Sequence, residues 1–170
     1  MSRRIWLTAG TILAAIVAVF LHIYPHGDAR AQNEAMVLAD DPAPLVADAQ
    51  AGKQSFTVEI ADDAGERERG LMFRQKMDTR HGMLFVFEAT QPVGFWMKNT
   101  SLPLDLVFIG QDGIVRAVRH GEPMSEAIIT PDEPVRFVLE LNAGTAEKAG
   151  IKTGVRVHHP AIDKVTGTLQ

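Results

Sequence analysis

Apolar and polar residues alternate along much of the chain after residue 52, and this period of two is typical of β-strands with one buried face. In residues 55–60 the even positions are apolar and are predicted to face inward, while Glu59 is predicted to face solvent. A continuous run at residues 81–87, rich in residues that favour strands, predicts a strand that is buried on both faces. The predicted strands cover residues 55–60, 81–87, 104–109, 114–118, 135–141 and 155–158.

Capping and turn residues separate these strands. Asp63 and Glu66 have the spacing of a capping box, which predicts a short helix ending around Gly70. Gly110-Gln111-Asp112-Gly113 predicts an antiparallel hairpin. Thr145 is placed to cap a second short helix, which Gly150 can end. We therefore predict an α+β, β-dominated fold, in which a single small antiparallel, barrel-like domain carries two short helices.

Residues 1–31 are predicted to form a signal peptide or an N-terminal anchor. Arg3 and Arg4 precede an uncharged run at residues 5–24, and Ala29-Arg30-Ala31 supplies the small residues that a signal peptidase accepts. The run is just long enough to cross a bilayer, which takes ~20 residues, so cleavage after Ala31 and retention as an anchor both stay open. Residues 2–7 also fit a twin-arginine signal, which leaves the export route open.

The position of the arginines places the rest of the chain across the membrane in either case. We expect a periplasmic or secreted domain, which residues 5–24 would anchor to the inner membrane only if they are not cleaved. Residues 32–52 are rich in Ala, Asp and Pro and lack aromatic residues, which predicts a flexible acidic linker. The β-rich globular domain is then expected at residues 53–160, followed by a polar tail at residues 161–170.

Composition narrows the classes of partner. Three of the 17 basic and one of the 21 acidic residues lie in residues 1–31, so the remainder carries a net charge of −6. No basic stripe is present there, so no nucleic-acid partner is expected. The absence of cysteine excludes disulfides, thiolate metal sites and a cysteine nucleophile. His158 and His159 are strand neighbours that point to opposite faces, and the methionines are irregularly spaced, so neither a metal site nor a cofactor is predicted.

Four motifs occur in an order that resembles one protein family. They are Arg69-Gly70-Leu71-Met72-Phe73-Arg74, Gly82-Met83-Leu84-Phe85-Val86-Phe87, Phe95-Trp96-Met97-Lys98-Asn99-Thr100 with Leu102-Pro103-Leu104-Asp105, and Leu139-Glu140-Leu141-Asn142-Ala143-Gly144. Together they resemble domain-of-unknown-function family 192, a group of small bacterial and archaeal proteins that often carry export signals. The resemblance covers about residues 56–157 and implies a compact β-rich, barrel-like fold. It implies no activity and no catalytic residue.

The segment from Trp96 to Asp105 is the main candidate for a binding site. Aromatic rings exclude water and neighbouring polar groups fix the orientation of a ligand, which is the usual construction of a pocket wall. Lys98 and Asp105 are predicted to pair beside Trp96, with hydrogen-bonding side chains next to them. The alternative is structural, with Trp96 in the core and Asp105 accepting from backbone amides. The candidate ligand-binding residues are Trp96, Lys98, Asn99, Thr100, Asp105 and Glu140.

Glu140 enters this set because its side chain is predicted to point away from Phe137 and Leu139. The sequence favours an exported, envelope-associated module that binds a small polar or envelope-derived ligand. One alternative is a hydrolase of envelope material that uses Asp105 and Glu140 as a carboxylate pair. Another is a scaffold with no small-molecule site. Binding is preferred over catalysis, and no catalytic residue is assigned.

Overall fold

A computed structural model describes residues 33–167, which form seven strands and three short helices. The predicted signal or anchor at residues 1–31 lies outside these described residues. The strands are β1 (Leu45–Ala49), β2 (Gly52–Ala61), β3 (His81–Gln91), β4 (Leu104–Ile109), β5 (Val115–Gly121), β6 (Val135–Asn142) and β7 (Val157–His158). The helices are α1 (Ala64–Arg69), α2 (Thr145–Lys148) and α3 (Pro160–Thr166).

All seven strands belong to one sheet with the order β5-β4-β6-β3-β2-β1-β7. Only β2 and β3 pair in parallel within this sheet, and α1 lies in the crossover between them, as a parallel connection requires. The other pairs are antiparallel, and the sheet curls into a half-barrel. The predicted β-dominated, barrel-like fold is therefore confirmed.

The sheet has an apolar cluster on each face. Strand β4 shows the arrangement most clearly, because all six of its residues are buried. Val107 and Ile109 pack into the first cluster, on the side of α2 and α3, whereas Leu106 and Phe108 pack into the second. Successive side chains of a strand point to opposite faces. The two faces of β4 therefore show on which face of the sheet each residue paired with β4 lies.

The local signals for α1 and for the hairpin are confirmed. The Asp63 side chain accepts a hydrogen bond from the Glu66 amide at 2.8 Å, and the Glu66 carboxylate accepts from the Asp63 amide at 3.3 Å. Helix α1 ends at Gly70, which has φ 47°. Residues 110–113 connect β4 to β5, with Gly113 at φ 76°, a left-handed conformation that favours glycine.

The structure differs from the sequence-based prediction at both ends of the domain. Residues 45–49, assigned to the linker, form β1, which pairs with β2 and β7 and buries Leu45 completely. Ala and Asp favour strands weakly, so the hydrogen bonds of the two neighbouring strands decide this segment. Residues 161–166, assigned to the polar tail, belong to α3, where Pro160 occupies the first turn and the His159 side chain caps it.

The loops contribute a further short pairing. Phe95 and Ile129 form an antiparallel bridge with N–O distances of 2.9 and 2.8 Å, and this bridge holds residues 122–130 against the segment that contains Trp96. Among residues 33–167 no helix combines the length and the hydrophobicity needed to span a bilayer.

Candidate functional site

The second apolar cluster borders a cavity of about 400 Å³ between α1, β3, β6 and the Trp96 segment. We call it the Glu140 cavity. Its polar lining includes Thr100 and Glu140, and four of its sixteen lining residues are aromatic. The lining residues are Arg67, Glu68, Arg69, Gly70, Leu71, Met72, Phe85, Phe87, Gln91, Pro92, Val93, Gly94, Phe95, Trp96, Thr100 and Glu140.

Glu140 is the buried polar group of this cavity. In the sheet it lies between Met83 of β3 and Leu106 of β4, and only 5% of the residue is exposed. No other residue in the range 33–167 forms a hydrogen bond with its carboxyl group. Burial raises its pKa to about 8, against the opposing positive charge of Arg74. The carboxyl is therefore largely protonated at neutral pH and can donate a hydrogen bond into the cavity.

Aromatic rings hold the cavity walls in place. Phe95 packs edge-to-face on Phe85 and Phe108, with centroid distances of 5.1 and 6.1 Å. The Arg67 guanidinium lies 5.4 Å from the centre of the Phe87 ring and donates to the Glu88 carboxylate at 2.9 Å. These contacts give the cavity an apolar interior with polar groups at fixed positions, as small-molecule sites usually have.

Trp96 separates the Glu140 cavity from a second cavity of about 420 Å³, which we call the Lys98 cavity. The second cavity is lined by Gly65, Glu68, Arg69, Met72, Trp96, Lys98 and Asn99. Trp96 is 41% exposed, so it lies at the surface between the two cavities and is not a core residue. The Lys98 ammonium lies 5.0 Å from the centre of the Trp96 ring, within cation–π range.

Asn99 and Thr100 shape the loop that follows Lys98. Asn99 has φ 56°, a left-handed conformation that Asn tolerates better than most residues, and its carbonyl accepts from the Phe73 amide at 2.7 Å. Thr100 is buried, lines the Glu140 cavity and donates through Oγ1 to the Lys98 carbonyl at 3.2 Å. Five of the six predicted residues thus line the paired cavities: Trp96, Lys98, Asn99, Thr100 and Glu140.

Asp105 does not belong to this site, and its predicted pairing with Lys98 is wrong. It pairs with Leu141 in the sheet and projects into the first apolar cluster, on the opposite face from Glu140. Its Oδ2 accepts from the Ala146 amide at 2.9 Å, where α2 begins. It lines a separate cavity with His120, whose Nδ1 lies 3.8 Å from Oδ1. The proposed Asp105 and Glu140 carboxylate pair is therefore also wrong.

Sequence reasoning missed a buried ion pair beside the site. Glu59, predicted to face solvent, is 1% exposed, because Arg74 and residues 36–38 cover that face of the sheet. Arg74 Nη2 donates to Glu59 Oε2 and to the Met36 carbonyl, both at 2.6 Å, and the Leu38 amide donates to Glu59 at 2.7 Å. No local pattern marks this contact, since its partners lie 15 to 38 positions apart.

Glu59 also belongs to the one cluster in residues 33–167 with metal-ligand geometry. Ligand atoms of Asp40, Glu59 and His81 lie within 4.8 Å of one another. Both Glu59 oxygens accept hydrogen bonds from Arg74, however, and His81 Nε2 lies 2.9 Å from Glu59 Oε1. The guanidinium already neutralises the carboxylate, so the arrangement is that of a buried salt bridge.

The protein is a small β-rich domain whose curled sheet lies beside two neighbouring cavities. Residues 46–159 match the model of DUF192, described as "Uncharacterized ACR, COG1430". The chain belongs to this family, as the four motifs indicated. No curated protein matches the chain.

Two solved structures resemble this one. A "putative transcription regulator" from Sinorhizobium meliloti 1021 is 44% identical, with a TM-score of 0.70, and the match covers 75% of this chain and 99% of that chain. A protein of unknown function from Novosphingobium aromaticivorans DSM 12444 is 33% identical, with a TM-score of 0.67 and coverage of 75% and 96%. Both support the fold.

Proposed function

We propose that this protein is a binding module for a small polar ligand, which is held between Trp96 and Glu140. One observation supports this proposal above the others. Glu140, a residue that is 5% exposed, has no hydrogen-bond partner for its carboxyl group in residues 33–167 and lines a cavity of about 400 Å³. Its carboxyl oxygens are not among the enclosed, unpaired polar atoms of the described residues, so they open into the cavity, where a ligand can supply the missing hydrogen bond.

The hydrolase alternative loses its chemical basis because Asp105 and Glu140 lie on opposite faces of the sheet. A glycosidase needs two carboxyl groups that flank one bond. The scaffold alternative explains the Glu59 and Arg74 pair but gives no role to a Trp96 side chain that is 41% exposed between two cavities. Binding therefore accounts for more of the site than either alternative.

We further propose that the domain acts in the cell envelope, in the periplasm or after secretion. The support is the sequence of residues 1–31, with two arginines, an uncharged run and an Ala29-Arg30-Ala31 motif. The ligand would then come from envelope material. The protein would contact the membrane only if residues 5–24 are not cleaved and act as an anchor.

A thermal-shift screen of the full-length chain against envelope glycan fragments and short peptides tests the proposal. At least one compound should raise the melting temperature in a saturable way, because binding to the native state alone stabilises it. Trp96→Ala and Glu140→Ala should each abolish that shift while the variant still unfolds cooperatively.

Asp105→Asn is the matched control, because it changes a second buried carboxylate on the opposite face of the sheet. It should lower the melting temperature of the free protein and keep the ligand-dependent shift. If no compound gives a saturable shift, or if Asp105→Asn removes the shift as completely as Glu140→Ala, the proposed site is wrong.

A further inference from the structure

We propose that the ligand is a ring compound with a carboxylate group, which lies across Trp96 with the carboxylate toward Lys98 and a neutral oxygen acceptor over Glu140. This inference rests on the proposed function and names the chemical class that the same site would select. It follows from the different character of the two cavities that share Trp96, Arg69, Glu68 and Met72.

The Lys98 cavity supplies a positive charge. The Lys98 ammonium is held over the Trp96 ring at 5.0 Å, and within residues 33–167 it has no carboxylate partner. Arg69 lines both cavities and adds a second cation. A carboxylate at this end would form charge-assisted hydrogen bonds, which are stronger than neutral ones.

The Glu140 cavity supplies a neutral donor instead. The buried carboxyl there keeps its proton at neutral pH, because burial raises its pKa to about 8. A protonated carboxyl donates one hydrogen bond, so it favours a hydroxyl, ether or carbonyl oxygen of the ligand. Between the two ends, the Trp96 and Phe95 rings provide apolar surface that suits the face of a six-membered ring.

A cationic ligand is the main competitor, since aromatic rings beside a carboxyl also suit an ammonium group. One observation opposes it. The Lys98 ammonium already lies over the Trp96 ring, so a second cation beside that ring would be repelled.

The surroundings of Glu140 determine how its protonation responds to pH. Its strand neighbours on the same face, Met83 and Leu106, are apolar. The charged groups that line the cavity or act on Glu140 are Arg67, Glu68 and Arg69 from α1 and Arg74 from the loop that follows it. Arg67 and Arg74 are already paired with Glu88 and Glu59, so the preference for an anionic ligand depends on Lys98 at the other end of the site.

Calorimetric titration of the full-length chain with two matched sets of ring compounds tests the inference. One set is glucuronate, glucuronamide and 6-amino-6-deoxyglucose, and the other is benzoate, benzamide and benzylamine, so the two sets distinguish a sugar acid from an aromatic acid. Within at least one set, the carboxylate should bind about tenfold or more tightly than its amide, and Lys98→Gln should remove that preference.

The pH profile adds a second readout. Carboxylate binding should be constant from pH 6 to 7 and weaken above about pH 8, approaching tenfold for each further unit, as Glu140 loses its proton. Glu140→Gln keeps an N–H donor that does not titrate, so its binding should stay saturable and become independent of pH. Asp105→Asn should retain the wild-type profile.

The two proposals fail in different ways. If the amide or the amine binds best, or if the affinity for the carboxylate rises above pH 8, the ligand class is wrong while the binding site stands. If the amines bind and Trp96→Ala abolishes their binding, the ligand is cationic. If none of the six compounds binds saturably, the carboxylate class is overturned, and the outcome of the thermal-shift screen decides the binding function separately.

Discussion

Asp105 and Glu140 lie on adjacent, hydrogen-bonded strands but project from opposite faces of the sheet. Asp105 is opposite Leu141 and Glu140 is opposite Leu106, so the two carboxyl groups occupy consecutive rungs of the ladder between β4 and β6. Residues directly opposite each other share a face, and consecutive rungs alternate. One carboxylate therefore stabilises α2 and the other lines a cavity.

Asp105→Ala should destabilise the domain through the start of α2. The variant loses the hydrogen bond from the Ala146 amide to Asp105 Oδ2, a remote equivalent of a helix cap, which is worth about 0.5–2 kcal/mol. Urea unfolding followed by circular dichroism measures the change. Any ligand that wild type binds should bind the folded variant with similar affinity, and a large loss of affinity would contradict the assignment of Asp105 to the opposite face.

Glu140 should make the domain less stable as pH rises. Its pKa is about 8 in the folded protein and near 4.5 when the chain is unfolded, so between these values the folded state holds a proton that the unfolded state releases. The free energy of unfolding should therefore fall through this window by up to about 1.4 kcal/mol per pH unit from this group.

Glu140→Gln removes this titration. The unfolding free energy of Glu140→Gln minus that of wild type should increase from pH 5 to pH 8, because wild type loses stability over this range, and it should level off above pH 8. Subtraction of the two profiles cancels the other titrating groups. A difference that does not change with pH would show that Glu140 ionises normally in the folded protein.

Glu59→Gln should be among the most damaging single changes in the domain. It leaves the Arg74 guanidinium, 8% exposed, without its carboxylate, and removal of one partner of a buried pair costs about 3–5 kcal/mol. The measurement is the free energy of unfolding in urea at pH 7. Glu88→Gln is the matched control, because the Glu88 carboxylate accepts from Arg67 at the surface and its loss should matter far less.

The same carboxylate should contribute to acid unfolding. Burial by itself would raise the pKa of Glu59, but hydrogen bonds from Arg74, His81 and the Leu38 amide lower it overall. A lowered pKa means that this stabilisation is complete above about pH 4.5 and is lost as the pH falls through the lower folded value. The stability profile of Glu59→Gln should be flatter than that of wild type in this acid range.

Gly82→Ala should disturb the pairing of β3 with β6, from the sheet face opposite the Glu140 cavity. A Cβ at position 82 would lie 2.5 Å from the Glu140 carbonyl oxygen and 2.8 Å from Leu141 Cδ2, so β3 and β6 would have to separate. Overpacking of this kind costs about 1–3 kcal/mol. Gly65→Ala, in the exposed helix α1, is the control and should instead raise stability by about 0.5–1 kcal/mol. Equal stability of the two variants would contradict the close strand contact.

The sequence by itself determined most of the strands, the capping box of α1 and the hairpin at residues 110–113, because these features depend on residues close together in the chain. It also identified five of the residues that line the paired cavities, since an aromatic residue beside polar groups is a local pattern. Strand β1 and helix α3 were missed because their partners lie elsewhere in the chain: β1 is held by β2 and β7, and α3 packs through Ile162.

Only the tertiary structure decided which polar groups meet. Alternation determines which residues of one strand share a face. The register between β4 and β6 decides which residues of the two strands share a face, and a shift of one residue would place Asp105 and Glu140 on the same face. That register separated Asp105 from Glu140. In the same way, the return of residues 36–38 over the sheet converted Glu59 from an expected surface residue into half of a buried ion pair. Contacts of this range leave no local pattern in the sequence.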